Sequence, residues 1–297
     1  MIISDCIIAV NSIGEELVQH GTARFPIACY EEDIAKYPVS WHWHEDFELI
    51  LICSGSAIVS VATEEYVIHE NEGIFINSGT LHSVQPKEHC ECMLKSLVFH
   101  PRLIGSVDSI FWQKYLEPIL HNKALPYLLL TPSNEIMADL LDQSLAAWNY
   151  YALAKQGYEI FLRNELSKVM FSIYSNYFTN DVTPTTRLMR NANRIKEMLQ
   201  YIHTHFSESI TLCDLANQVS LSESEVLRCF RSMIHTTPTQ YLKQYRIQRA
   251  CALLTSTDLS TSEIAFECGF QSSSYFIKTF REKMKQTPLA YRKAIKY

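Results

Sequence analysis

Three features that define common protein classes are missing from this chain of 297 residues. No apolar run is long enough to cross a bilayer, so we expect no membrane-spanning segment. Residues 1–5 form no basic segment ahead of an apolar one, so a secretory signal is not expected. The nine cysteines are an odd number and are scattered, which favours reduced thiols in the cytoplasm over a disulfide framework.

The spacing of a structural zinc site is also absent. Cys90-Glu91-Cys92 beside His89 could bind a metal, but no second Cys/His pair stands at zinc-site spacing. The alternative is that the two cysteines are strand thiols in a core, and this interpretation is favoured.

Positive charge is scarce overall but unevenly placed. The chain carries a formal net charge of −6, which by itself argues against nucleic-acid binding. Residues 187–297, however, hold 16 basic and 9 acidic residues, whereas residues 1–186 hold 10 and 23. A block of net +7 joined to one of net −13 indicates a nucleic-acid-binding module fused to a different domain. The length suits two domains, each with its own core.

The basic block contains the same supersecondary unit twice. One copy covers 210–231 and the other 262–281, with an offset of 49 residues before the turn and 50 after it. Each copy predicts a short helix, a tight turn and a second helix that carries basic residues, which is a helix-turn-helix for the DNA major groove. Ser222 with Glu225 predicts a capping box on one second helix, and Ser272 caps the other.

The segments around the two copies are also informative. Gly269 stands at the second turn, where a left-handed backbone costs glycine little, and Ser220 holds that place in the first copy. Pro238 opens a predicted helix that ends at Thr255. A rod of roughly 27 Å can hold two reading helices near successive major grooves. A further helix is predicted over 194–206.

The front of the chain predicts strands. Residues 1–105 contain short β-rich runs at 48–53, 57–61 and 73–76, each bounded by turn residues. This spacing is typical of an antiparallel sandwich or small barrel.

Helical periods replace the strand pattern after residue 105. Residues 106–180 include helical patterns over 134–150 and 158–178. The stretch Thr179-Asn180-Asp181-Val182-Thr183-Pro184 is polar and broken by proline, so we place the domain linker at 181–190 and the helix-turn-helix domain at 191–297. The predicted fold class is α+β with several domains.

Four polar residues of the strand region form a candidate site. His42 and His44 alternate along a predicted strand, Glu48 has the same parity, and His82 follows a later strand and turn. Three imidazoles and one carboxylate suit a divalent transition metal. Alternatively, these groups line the pocket of an organic ligand or hydrogen-bond each other inside the barrel, since polar groups commonly orient ligands in apolar pockets.

Aromatic residues beside this cluster indicate a ligand class. Trp41 and Trp43, together with Tyr30 and Phe47, would suit stacking on a sugar ring, although aromatic side chains are as often part of a core. We therefore expect a carbohydrate or a similar polar metabolite as the ligand.

The chain resembles the AraC/XylS family of transcription regulators over nearly its whole length. In the front half, His42-x-His44-x3-Glu48-x6-Gly55 is similar to the first motif of the cupin-type sensory domain often fused to this family, and Gly73 with Gly79-x2-His82 matches part of the second. The matching residues of the second helix-turn-helix copy are Ile264-Ala265, Gly269-Phe270, Ser274-Tyr275-Phe276, Phe280, Thr287-Pro288 and Tyr291-Arg292.

The resemblance implies a regulator rather than an enzyme. It implies an effector-binding cupin-like barrel, a DNA-binding domain for double-stranded promoter DNA, contact with RNA polymerase, and more often activation than repression. No cofactor is expected unless the histidine cluster holds a metal. A homodimer is also implied, with the 158–178 helix as the candidate interface. The alternative is that its stripe of Phe161, Leu162, Leu166, Val169 and Ile173 covers the barrel.

The resemblance also implies which side chains contact DNA. On the first reading helix Ser224, Leu227 and Arg228 take base-reading positions, and arginine makes bidentate contacts to guanine. On the second reading helix the corresponding residues are Ser273, Ser274, Tyr275 and Lys278. The residues expected at phosphates are Arg231 and Arg281.

Two departures from the family pattern stand out. The family usually has glycine before each Thr-Pro element, whereas this chain has His235-Thr236 and Lys285-Gln286, so a different backbone is expected there. Lys36 and Asn77 replace the leading glycine and the proline of the cupin motifs, which argues more against a metal-binding or enzymatic cupin than against a ligand sensor.

Two other functions compete with a ligand-responsive regulator. One is a metal-dependent cupin enzyme with a DNA-binding tail, in which His42, His44, Glu48 and His82 are the ligands. The other is a DNA-organising protein without an effector, against which the acidic front domain argues, because such proteins rely on broad basic surfaces.

Overall fold

The computed structural model describes residues 20–87, 91–178 and 186–296. These residues divide after Arg190 into two compact units. Within the described residues, no helix is both long and apolar enough to span a bilayer. His89 and Cys90 lie outside the described residues, while Cys92 is buried in an apolar core.

The first unit is built on two antiparallel sheets. One sheet has the strand order β1-β8-β3-β6-β9 and the other the order β2-β7-β4-β5. The strands are β1 (Ile27–Asp33), β2 (Val39–His42), β3 (Phe47–Ser54), β4 (Ser56–Val61), β5 (Glu64–His69), β6 (Gly73–Ile76), β7 (His82–Pro86), β8 (Met93–Phe99) and β9 (Tyr127–Leu130). The predicted antiparallel fold of the front half is confirmed.

Strand β3 lies at the centre of the five-stranded sheet and is buried on both faces. Phe47 and Leu49 belong to the core that the sheet shares with the helices. Ile50 and Ile52 point the other way, into the core between the two sheets. Because side chains alternate along a strand, Glu48 shares the side of Ile50 and Ile52 and lies inside the barrel.

Helices cover the outer face of the five-stranded sheet. They are α1 (Glu117–Leu120), α2 (Glu135–Leu153) and α3 (Tyr158–Tyr177), preceded by a 3-10 turn at Pro101–Leu103 and a π turn at Trp112–Leu116. Leu162, Leu166, Val169 and Ile173 of α3 are buried in the core beneath it, whereas Phe161 is 51% exposed. The buried part of the predicted α3 stripe therefore packs inside the first unit, mainly against α2.

Strand β9 falls inside the segment that the sequence predicts as helical. Tyr127–Leu130 pairs antiparallel with β6 and completes the edge of the five-stranded sheet. Four apolar residues are too short a run to separate strand from helix by period, so the pairing with β6 decides the conformation.

The residues of the second unit that the structure describes form helices and the turns between them. Its helices are α4 (Thr186–His205), which begins before the boundary at Arg190, α5 (Leu212–Gln218), α6 (Glu223–Met233), α7 (Pro238–Ser256), α8 (Thr261–Glu267), α9 (Ser273–Met284) and α10 (Pro288–Lys296). Two helix-turn-helix units, α5–α6 and α8–α9, are thus present as predicted. Residues 181–185 of the predicted linker lie outside the described residues, and 186–190 already belong to α4.

Side-chain caps begin these helices where the sequence predicts. Ser222 and Glu225 form a reciprocal capping box on α6, and the Ser272 hydroxyl accepts from the Tyr275 amide on α9. Thr237 caps α7, with Pro238 at its first position. Such contacts lie within four residues of each other, which is why they can be predicted from sequence.

The turns that depart from the family pattern keep a glycine-like backbone without glycine. His235 and Lys285 take φ of 55° and 58°, in the left-handed region that glycine favours. Ser220 does the same at the first helix-turn-helix turn, with φ of 52° against 75° at Gly269. The expected change of backbone at His235 and Lys285 is therefore not found.

Candidate functional site

The polar cluster predicted in the front half is assembled between the two sheets. His42 ends β2 and pairs directly with His82 at the start of β7. His44 follows β2, and Glu48 comes from β3 in the opposite sheet. All four side chains are buried, and one ligating atom of each lies within 4.8 Å of the others.

The strands that carry these residues differ from those that the sequence predicts. The sequence places His42, His44 and Glu48 on one strand with a common parity. In the structure the chain bends at Glu45 and Asp46, so His42 and Glu48 belong to different sheets. The residues still converge because the two sheets face each other across the barrel.

Glu48 connects the histidines. Its Oε2 lies 2.9 Å from Nε2 of His82 and 3.3 Å from Nε2 of His44. Burial alone would raise the pKa of Glu48, but the hydrogen bonds and charges of His44 and His82 outweigh it and hold the pKa of this carboxyl well below its usual range. Glu48 is therefore a carboxylate at neutral pH.

The three histidines share one orientation. Each ring places Nδ1 against a backbone carbonyl oxygen two residues away: His42 at 2.8 Å from Ser40, His44 at 3.0 Å from Asp46, and His82 at 2.8 Å from Thr80. A carbonyl oxygen can only accept, so each Nδ1 carries the hydrogen.

A cavity adjoins the cluster inside the barrel. Its apolar wall includes Ile50 and Val98, and its polar lining includes side chains that the sequence did not single out, His20, Glu32 and Ser96. His42, Glu48 and the predicted aromatic Tyr30 also line it. Sequence reasoning had no signal for Ser96, because the long-range pairing of β8 with β1 and β3 brings it here, nor for His20, which lies outside the strands.

The predicted aromatic residues are placed differently from one another. Tyr30 is anchored at the cavity, since its hydroxyl lies 3.0 Å from Nδ1 of His20 and its carbonyl accepts from the Trp148 indole at 3.0 Å. Trp41 is buried and Trp43 half-buried, and neither lines this cavity. Phe47 belongs to the core on the opposite side of β3.

Helix α6 presents the predicted DNA-contacting residues on its outer side. Ser224, Arg228 and Arg231 are exposed and Leu227 is half-buried, while Val226 and Phe230 are buried. Arg228 has an exposed side chain and only a loose pair with Glu225, at 4.0 Å. An exposed pair at that distance contributes little, so the guanidinium can exchange it for another acceptor.

Helix α9 repeats this arrangement. Ser274, Tyr275, Lys278 and Arg281 are exposed and Ser273 is half-buried. The buried side chains that hold the helix in its core are Phe276 and Phe280. Tyr275 is 52% exposed, and its ring centroid lies 6.1 Å from that of Phe270.

Two arginines to which the sequence analysis assigned no role connect neighbouring segments within the helical unit. Arg246 on α7 donates to the carbonyls of Phe206 and Glu208, at 2.7 and 2.6 Å, just ahead of α5. Arg292 on α10 donates to those of Leu254 and Leu259, at 3.1 and 2.6 Å, just ahead of α8. Each guanidinium therefore fixes the entry to one helix-turn-helix.

Comparison with known proteins covers both units. Residues 24–162 match the AraC-like ligand binding domain, and residues 215–294 match a helix-turn-helix domain. An uncharacterized HTH-type transcriptional regulator of Bacillus subtilis, YdeC, is 33% identical over 94% of this chain and 96% of its own length.

More distant relatives have named roles. The melibiose operon regulatory protein of Escherichia coli is 25% identical, over 85% of this chain and 83% of its own length. The HTH-type transcriptional activator RhaR of Mannheimia succiniciproducens is 23% identical, over 86% of this chain and 87% of its own length. These relatives are named as regulators rather than as enzymes.

Proposed function

Because the chain belongs to the AraC family of transcription regulators, we propose that it activates transcription from promoters that its two reading helices recognise, in response to a small polar metabolite. The observation that carries this proposal is the pair of matched, outward-facing helices α6 and α9 on one compact unit. The buried polar cluster beside a cavity in the other unit supports the response to an effector.

The DNA contacts are proposed residue by residue. Ser224, Leu227 and Arg228 of α6 read bases, with Arg228 bidentate to a guanine. Arg231 and Arg281 contact phosphates and set the register of the protein on the duplex. The residues of α9 proposed to read bases are Ser273, Ser274, Tyr275 and Lys278.

The effector site is proposed at the cavity between the sheets, which would have to widen to admit a sugar, since its volume of about 20 Å³ holds little more than one water. His42, His44, Glu48 and His82 supply fixed polar groups, and Tyr30 supplies an aromatic face, which together suit a small polar ligand in an otherwise apolar pocket. Trp41 and Trp43 remain proposed contributors that would have to reach the ligand after a local rearrangement. A sugar is the favoured ligand, since one relative is named for the melibiose operon.

The sign of regulation and the assembly are also proposed. Activation through RNA polymerase is supported by a relative named as a transcriptional activator. A homodimer is supported by apolar side chains left exposed on the outer side of α2 and α3. Those residues are Leu153 at 63%, Ile160 at 65%, Phe161 at 51% and Phe171 at 56% exposed.

Selection of binding sites from pooled oligonucleotides tests the proposed function. Full-length protein is incubated with the pool at a stated salt concentration, because affinities for DNA depend steeply on salt. We expect enrichment of a site with two elements about one helical turn apart. Folded protein that enriches no sequence, with and without a library of sugars and related polar metabolites, would overturn the proposal.

The effector is tested separately by thermal shift. A sugar or similar polar metabolite that binds the folded sensor is expected to raise its melting temperature, and the rise should grow with the logarithm of ligand concentration above the dissociation constant. Stabilisation only by purely apolar compounds would contradict the proposed ligand class.

A further inference from the structure

We propose that Lys243 of α7 binds a backbone phosphate between the two DNA elements, and that Glu282 of α9 holds this lysine back when no DNA is bound. The inference rests on the proposed DNA contacts of α6 and α9. It adds a third contact, made by the helix that joins the two helix-turn-helix units. It is carried by the position of Lys243, by the lysines around it and by their loose pairing with Glu282.

Lys243 lies where α7 passes from one helix-turn-helix unit to the other. Two residues before it, Tyr241 packs against Phe230 of α6, with ring centroids 6.2 Å apart. The Lys243 ammonium turns instead to α9, where its Nζ lies 5.8 Å from the ring centroid of Tyr275 and 3.9 Å from Oε2 of Glu282. Within three residues, α7 therefore contacts the first reading helix and presents a cation beside the second.

The Lys243 ammonium lies beside side chains that are proposed to enter the major groove. Lys278 shares Glu282 with it, since Lys278 Nζ is 4.0 Å from the other carboxylate oxygen, Oε1. Tyr275, Lys278 and Glu282 are spaced by three and four residues and so form one stripe along α9. The phosphates border the groove in which a reading helix lies, so a cation at the side of that helix is placed at the backbone rather than at the bases.

Positive charge is concentrated where α7 meets α9. Lys283 and Lys285 are exposed close to Lys243. Desolvation of the Lys283 amine, followed by the charges of Lys243 and Lys285, lowers the pKa of Lys283. With Lys278, four lysines gather at this place. A polyanion such as the DNA backbone would relieve the repulsion between them, which favours phosphate as the partner.

The pairs with Glu282 are loose enough to be exchanged. Both lie at or near 4.0 Å, and the side chains of Lys243, Lys278 and Glu282 are 43%, 74% and 56% exposed. Exposed ion pairs of this kind contribute little. A phosphate offers Lys243 a stronger charge-assisted acceptor, so the lysine leaves Glu282 when DNA binds. The carboxylate left beside the phosphate is repelled by it, so Glu282 weakens DNA binding.

Fluorescence anisotropy with two labelled duplexes tests the inference. One duplex carries a site that the full-length wild-type protein enriches from the oligonucleotide pool, and the other has the same base composition in scrambled order. Affinities are measured at several salt concentrations. The slope of log affinity against log salt reports how many phosphates the protein neutralises, so it separates a phosphate contact from a base contact.

Two substitutions are expected to change affinity in opposite directions. Lys243→Gln removes the charge and should weaken binding to both duplexes by a similar factor. It should also reduce the salt slope by about 1, while the enriched sequence stays the same. Glu282→Gln keeps the size of the side chain and should strengthen binding to both duplexes, because an anion beside the phosphate is lost.

Two exposed residues of the same unit provide matched controls. Lys293→Gln on α10 and Glu197→Gln on α4 remove the same charges, and neither residue forms an ion pair within the part of the chain that the structure describes. Both should keep the affinity and salt slope of wild type. All four variants should keep near-native melting curves, since each replaced side chain is at least partly exposed.

The outcomes separate this inference from the proposed function. Weaker binding by Lys243→Gln and tighter binding by Glu282→Gln, with both controls unchanged, would support the inference. A wild-type salt slope or an altered base preference for Lys243→Gln would overturn it, as would unchanged or weaker binding by Glu282→Gln. Wild-type protein that enriches no sequence would overturn the proposed function instead, and the variants can still be compared on the scrambled duplex.

Discussion

Ser220 and Gly269 occupy the same turn in the two helix-turn-helix units, and both have a left-handed backbone. The turns also share their hydrogen bonds, from Leu221 to Ala216 O at 3.0 Å and from Phe270 to Ala265 O at 2.9 Å. Their surroundings differ, because a Cβ at Gly269 would lie 2.7 Å from the carbonyl oxygens of Phe206 and Ser207. Those oxygens are backbone atoms and cannot move aside cheaply.

Alanine at these two positions is therefore expected to behave differently. Gly269→Ala adds the left-handed penalty of about 1–2 kcal/mol and a clash with backbone, so it should lower the free energy of unfolding by more than about 2 kcal/mol. Ser220→Ala already has a Cβ in place and should stay within about 0.5 kcal/mol of wild type. Urea denaturation of the full-length variants measures both; equal losses would contradict the role of the 206–207 carbonyls.

Arg228 and Arg231 lie on the same helix but have different proposed partners. Arg228→Ala is expected to cost about 1–3 kcal/mol in specific binding and to relax preference at one base position, because a guanine contact is lost. Arg231→Ala should weaken binding to all sequences and reduce the slope of log affinity against log salt by about 1. Oligonucleotide selection repeated at two salt concentrations distinguishes them, and an unchanged base preference for Arg228→Ala would sink its assignment.

At the scale of elements, the guanidinium groups of Arg246 and Arg292 each hold the segment just ahead of one helix-turn-helix through two hydrogen bonds to backbone carbonyls. Arg246→Lys is expected to destabilise the helical unit by about 1–3 kcal/mol, since a single ammonium cannot satisfy the carbonyls of both Phe206 and Glu208 in the same planar geometry. Arg231→Lys, on an exposed surface, serves as the matched control and should change stability by less than about 0.5 kcal/mol. Thermal unfolding followed by circular dichroism compares them, and indistinguishable curves would argue against the role of these hydrogen bonds.

Elements that depend on neighbouring residues could be predicted from the sequence, whereas those that depend on pairing between distant residues could not. The helices of the second unit follow from caps such as Ser222–Glu225 and from helical periods, both of which are contained in a few residues. Strand β9 and the lining residue Ser96 depend on strand pairing across tens of residues, which leaves no short sequence pattern.

The candidate site was predictable in its members but not in its construction. His42, His44 and Glu48 stand out as three metal-type ligands within seven residues, and His82 joins them through the Gly79-x2-His82 pattern. Their placement in two facing sheets, and the carbonyl partners of each Nδ1, follow from the bend at Glu45 and Asp46 and from the pairing of His42 with His82. Both are tertiary features, so the sequence predicted which four residues lie together but not which strands carry them.

Within the helical unit, the continuous helix α7 packs against both helix-turn-helix units, α5–α6 and α8–α9, which we call the first and second heads. The N-terminal half of α7 packs on the first head, where Tyr241 contacts Phe230 and its hydroxyl lies 2.6 Å from Nε2 of His203. The C-terminal half contributes Ile247 and Leu254 to the core of the second head. With 19 residues, α7 is about 28 Å long, and its shared packing should keep the separation of the heads nearly constant.

At the scale of the whole molecule, this rigidity predicts how binding depends on the spacing of the two DNA elements. Inserting 5 base pairs between the elements of a selected site turns one element to the opposite face of the duplex, and inserting 10 restores the face but adds about 34 Å. A rigid α7 can follow neither change, so both insertions should reduce affinity by about 10²-fold or more, towards that of one element alone. Fluorescence anisotropy at fixed salt measures this, with an insertion outside the site as control. Recovery at 10 but not at 5 base pairs would mean that the heads are flexibly joined, which is the behaviour that the packing of α7 on both cores argues against.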